Sequence, residues 1–177
     1  SKERSLLGKA PFNEAEFKKS IGINQIKGET GYSTIERIGI RPSLDVCGIW
    51  GGYTGEGAKT ILPSYAQAIV SMRLVPNQDN YKIAKLFLDH INSIAPDYIN
   101  VTAKAMHGGQ GFLTPISSPV YKAASDAIKE VYGIEPVPSR GGGSIPVLAD
   151  LQSILNANPL LMGFGLERDT IHSPNES

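Results

Sequence analysis

The sequence predicts an α+β protein in which an antiparallel sheet carries helices on one side. Three observations point there. The run TILPSYAQAIVSMRLVP, residues 60–76, alternates with the period of a strand, and so does YINVTAKAMH, residues 98–107. Between them, apolar residues recur at helical spacing. A third strand-like run, SLDVCGIW, precedes both. The order strand, strand, helix, strand suits a sheet with its helices segregated to one face.

Each element has its own signal. Asn13 is placed to cap a short helix running through Phe17 to about Ser20. GETGYSTIERIGIRP reads as an irregular segment punctuated by glycine. A strand begins at Ser43, and GGYTGEGAK connects it to the next. In that next run Leu62, Ala66, Ala68, Val70 and Met72 fall on one face. Tyr65, Gln67, Ile69, Ser71 and Arg73 fall on the other, and Pro63 marks an edge or a strand beginning. Asp79 or Asn80 caps a helix carrying Ile83, Leu86, Phe87, His90, Ile91 and Ile94, which Pro96 ends. In the third strand Ile99, Val101, Ala103 and Ala105 share a face.

The character changes near residues 113–118. PVYKAASDAIKEVYG reads as a helix with Val120, Ala123, Ala124, Ala127, Ile128 and Val131 on one stripe, stopped by Gly133. SRGGGSIPVLADLQSILN is a Gly-rich loop running into another helix, and PLLMGFGL reads as a short buried strand. Helices need a surface to cover their apolar stripes. With one convincing strand, this second piece is expected to be incomplete by itself.

Composition bounds the function. Of 177 residues, 41% are hydrophobic and 19% charged, as in a chain that buries a core. The 17 basic and 17 acidic residues cancel, which argues against nucleic acid and anionic membranes as partners. No apolar run approaches the roughly 20 residues of a membrane helix, and SKERSLLGKAPF lacks a secretory signal. The sequence opens without Met, so it is expected to begin inside a longer protein. A lone cysteine, Cys47, has no internal disulfide partner and fits a cytoplasmic location. Between Val46 and Ile49 it reads as a buried structural thiol.

GGYTGEGAKT resembles a phosphate loop only superficially. Ala58 separates Gly57 from Lys59, and Thr60 opens a strand-like run where that motif requires a helix. RGGGSIP is better suited to a ligand. Its glycines allow close backbone approach, Ser144 supplies a hydroxyl and Arg140 a charge, which fits a carboxylate or oxyanion. A flexible loop is the equal alternative. Of the histidines, His90 reads as structural, His107 ends a strand, and His172 follows one. Strand ends collect ligands on α/β sheets, yet no complete metal-site spacing accompanies either residue.

Five ordered segments, RPSLDVCGIWGGYTGEGAKTILP, SMRLVPNQ, HGGQGF, PVPSRGGGSIPV and MGFGLERDTIHSPNE, resemble the second half of the carnosinase-type metallopeptidases. That family includes cytosolic dipeptidases and is related to aminoacylases, acetylornithine deacetylase and succinyl-diaminopimelate desuccinylase. The resemblance runs from about Phe12 to Ser177. It implies an α/β catalytic domain holding two zinc ions. It also implies an inserted lid domain of a four-stranded antiparallel sheet with two helices on one face, through which a homodimer forms. On that pattern residues 1–40 lead into the lid, 41–115 form it, and 116–177 are an incomplete α/β catalytic segment. The implied reaction is hydrolysis of small peptides by a metal-activated water.

Position by position, the resemblance implies His172 as a zinc ligand and Arg73 as the partner of the substrate carboxylate. It implies Thr60 as a substrate contact made across the dimer interface. Gly143 and Ser144 would touch the same end of the dipeptide, and His107 would sit nearby as a polar contact. Glu176 belongs to the His172 motif and is assigned no metal. The family's His-x-Asp motif, bridging Asp, Glu-Glu pair and further acidic ligand have no counterpart here. With no general base, this chain alone is expected to be inactive and not to bind zinc. The alternatives are an N-acyl amino-acid deacylase of the same family and a non-catalytic dimerisation module.

Overall fold

The computed structural model describes residues 2–141, 145 and 147–165 of the chain. Among them are six helices and two strands, in the order α1 (Lys2–Leu7), α2 (Glu14–Ser20), α3 (Thr34–Ile40), β1 (Ser43–Gly51), β2 (Ala66–Arg73), α4 (Asn80–Ile94), α5 (Pro119–Tyr132) and α6 (Val147–Leu155).

The helix boundaries follow side-chain chemistry. Asn13 Oδ1 accepts from the N–H of Ala15 and Glu16 at the start of α2, and Asp79 Oδ1 accepts from Lys82 N–H at the start of α4. Ser118 caps α5, with Pro119 in its first turn, and Gly133 ends it in the left-handed region at φ 72°. Helix α3 was not expected. The capping box that starts it, Ser33 with Glu36, is written in the sequence as S-T-I-E.

β1 and β2 form an antiparallel hairpin with Ser43 opposite Arg73 and Gly51 opposite Ala66. A bulge at Cys47 resets the alternation of β1. Leu44, Val46 and Ile49 therefore lie opposite Met72, Val70 and Ala68 on one apolar face. Ser43, Asp45 and Trp50 lie opposite Arg73, Ser71 and Gln67 on the other. The expected division of β2 into two faces is thus the observed one. The buried thiol is not: Cys47 is exposed, because the bulged residue is left out of the ladder.

The sheet also differs from expectation. Among the described residues it has two strands, not four. Residues 99–105 and 159–165 are neither helix nor strand. Alternation provides a face to bury, but a strand exists only where a neighbour takes its N–H and C=O groups. Neither segment meets one here. Much apolar surface is correspondingly uncovered. The accessible area is 14389 Å², against roughly 8,400 Å² for a compact monomer of this mass. Ile49 is 79% exposed and Leu62 89% exposed. Among the described residues the buried apolar side chains are Leu7 and Leu148.

An ionic clasp joins α1 to α3. The Arg4 guanidinium donates to both Glu36 carboxylate oxygens and to the Gly31 carbonyl. Glu36 also accepts from Ser33 N–H at 2.7 Å and is itself buried. The Tyr32 ring lies under both Arg4 and Arg41, 5.1 and 4.5 Å from their guanidinium carbons. Arg41 in turn forms a two-pronged bond to Glu29, at 2.6 and 2.7 Å. Glu36 is held down to about 2, first by the Arg4 hydrogen bonds and then by the Ser33 N–H.

Candidate substrate-binding site

Arg73 is the last residue of β2 and lies exposed on the polar face of the hairpin, opposite Ser43. The chain then turns sharply. Val75 N–H donates to Gln78 Oε1 at 3.0 Å, and Gln78 N–H returns to the Val75 carbonyl at 3.1 Å. Asp79 starts α4 immediately afterwards. Its second carboxylate oxygen accepts from Gln110 Nε2 at 2.8 Å. The HGGQGF segment is thereby tied to the start of α4. Asp79 sits below the usual carboxylate range, first because Lys82 N–H and then because Gln110 stabilise its charge.

The glycines of that segment permit this approach. A Cβ on Gly111 would stand 3.3 Å from the Val75 carbonyl and from Pro76 N. One on Gly108 would stand 3.2 Å from Asn80 Nδ2. Small residues here let two backbones run side by side. The structure therefore brings the segment that begins at His107 against the turn that follows Arg73. His107 itself is exposed. Sequence reasoning missed Gln110 and Asp79 as the tie. The signal was a lone amide side chain between glycines, facing a helix cap.

Thr60 lies elsewhere. It belongs to the loop that closes the other end of the hairpin, after Gly51. The eight residues of β2 separate that end from Arg73 by about 23 Å at the rise of an extended strand. Gly143, Ser144 and His172 lie outside the described residues. Arg140, which leads into the RGGGS motif, is described and rests on α3. A Cβ on Gly39 would meet the Arg140 carbonyl oxygen at 2.7 Å.

The described residues contain no group of three or more His, Cys, Asp or Glu side chains that could hold a metal ion. By themselves these residues do not fit a zinc site. No helix among them is long and apolar enough to cross a membrane.

Known proteins share this architecture. Residues 13–99 match the model of a peptidase dimerisation domain. The Cys-Gly metallodipeptidase DUG1 of Saccharomyces cerevisiae is 34% identical over 139 residues, which cover 76% of this chain and 29% of that protein. The Beta-Ala-His dipeptidase of Homo sapiens is 28% identical over 164 residues, 91% of this chain and 32% of that protein. The crystal structure of an M20 family metallo-carboxypeptidase from Sulfolobus solfataricus superposes with a TM-score of 0.85 at 32% identity. That match covers 99% of this chain and 40% of the other. The chain thus spans about a third of the length of the curated relatives it matches. From the domain match, the shared fold and the dipeptidase relatives together, residues 13–99 are the peptidase dimerisation domain of the M20 family, and the chain is similar to a part of that family's metallopeptidases.

Proposed function

We propose that the parent protein is a zinc-dependent dipeptidase, and that this chain supplies its dimer face and the wall that holds the substrate's C-terminus. The observation that carries this is the junction after β2. There the polar face of the hairpin ends at Arg73, and the turn that follows it packs against the glycine-rich segment that begins at His107. Arg73 offers two parallel N–H donors, which match a carboxylate better than a lysine would. His107 adds a polar contact beside it.

Gly143 and Ser144 contribute backbone and hydroxyl groups to the same end, and His172 is a zinc ligand. The other ligands belong to the part of the enzyme that this chain does not span. The chain alone is therefore inactive. Homodimerisation uses the lid, whose full sheet has four strands. The uncovered apolar face of Leu44, Val46 and Ile49 supports an assembly that buries more surface than this chain does.

The same carboxylate clamp also suits a carboxypeptidase acting on longer peptides, as the Sulfolobus solfataricus relative is described. Assay of the full-length enzyme with added zinc separates the readings. A dipeptidase cleaves unblocked dipeptides and leaves N-blocked tripeptides and N-acetyl amino acids. Turnover of the blocked tripeptide favours the carboxypeptidase, turnover of the acetyl amino acids the deacylase. No dipeptide turnover contradicts the proposal.

A further inference from the structure

The loop between β1 and β2 is wound on one side chain. Tyr53 Oη donates to the Glu56 carbonyl at 2.8 Å, and Lys59 Nζ sits 5.0 Å from the centre of the Tyr53 ring. Gly55 lies so close that a Cβ there would stand 2.8 Å from the ring carbon bearing that hydroxyl. Gly52 and Gly57 take left-handed φ of 79° and 84° on either side, which turns the chain around the ring. A hydrogen bond, a cation over the ring and a glycine against it thus converge on Tyr53 within seven residues. The rest of the loop, residues 52–65, is exposed. Lys59 is the immediate neighbour of Thr60.

We propose that Tyr53 is a positioning residue: by holding Glu56 and Lys59 it fixes where Thr60 is presented to the substrate. This rests on the reading of Thr60 as a substrate contact. Tyr53 does not touch the substrate. It removes conformational freedom that the loop would otherwise lose on binding, so its effect falls on KM more than on kcat.

The test uses Tyr53→Ala, Tyr53→Phe and Thr60→Val in the full-length enzyme, with two readouts. Trypsin cleavage of the Lys59–Thr60 bond reports loop order without reference to activity. Steady-state kinetics on a dipeptide report presentation. Tyr53→Ala is expected to raise the cleavage rate and KM about tenfold each, with kcat within about twofold of wild type. Tyr53→Phe keeps the ring and loses the Glu56 bond, so it recovers most of both. Unchanged cleavage in Tyr53→Ala overturns the proposal, as does a raised cleavage rate with unchanged KM while Thr60→Val raises KM. If Thr60→Val leaves KM unchanged, the reading of Thr60 fails, and the proposal falls with it whatever the loop does.

Discussion

Thr60 belongs to the loop that closes one end of the hairpin and Arg73 stands at the other end, with the length of β2, about 23 Å of extended chain, between those two ends. A dipeptide is far shorter than that. If both residues contact one substrate, they do so from two copies of the chain, each contributing one end of its hairpin. A dimeric assembly is then part of the site.

Arg73 is expected to select for a free C-terminal carboxylate. In the full-length enzyme Arg73→Ala should raise KM for dipeptides by roughly 10- to 100-fold, the range for a charge-assisted bond. Arg73→Lys should recover only part, because a single ammonium cannot form the two-pronged bond. C-terminal amides provide the check. Wild type should discriminate against them, and Arg73→Ala should treat acid and amide nearly alike.

The Arg4–Glu36 clasp has a defined pH signature. Glu36 is held down to about 2 from an ordinary 4.5, so its folded form prefers the charged state. Its contribution is complete above about pH 4.5 and is lost as pH falls toward 2. The difference in Tm between wild type and Glu36→Gln should be constant above pH 5 and should shrink to near zero by about pH 2. A gap that stays constant through that window would show that Glu36 does not titrate against Arg4.

The closing pair of the hairpin is sterically tight. A Cβ on Gly51 would stand 2.9 Å from Ala66 Cβ and 3.0 Å from the Tyr65 carbonyl oxygen. Gly51→Ala should destabilise by about 1–3 kcal/mol through overpacking. Gly52→Ala acts differently. Its Cβ has room, but the φ of 79° disfavours it by about 1–2 kcal/mol. Chemical denaturation measures both. Trimming Ala66 to glycine should relieve Gly51→Ala in part, because the Tyr65 carbonyl oxygen remains 3.0 Å away, and leave Gly52→Ala unaffected.

What could be read from the sequence followed from local rules. The faces of β2 were legible because side-chain period two does not depend on partners. The caps at Asn13 and Asp79 were local as well, and α4 and α5 ended where Pro96 and Gly133 had pointed. Helix α3 was missed although Ser33 and Glu36 marked it, because the glycines around it dominated the reading. The strand reading of residues 99–105 failed because pairing is a tertiary property that alternation does not encode. Cys47 was misread because a bulge shifts register, and no single residue type announces one. At the site, Arg73 and His107 were legible as residue types. The packing of residues 108–111 on the turn after Arg73 was not, since it depends on Gln110 reaching the cap of a helix 31 residues away.

Complementation in the full-length enzyme tests the two-chain site most directly. Thr60→Val and Arg73→Ala are made separately, and each homodimer is expected to be strongly impaired. When the two chains are mixed and reassembled at random, half the dimers are heterodimers, and each carries one intact site and one doubly altered site. Activity should recover to about a quarter of wild type. If the mixture stays at the average of the two impaired homodimers although heterodimers form, Thr60 and Arg73 do not meet one substrate across a dimer.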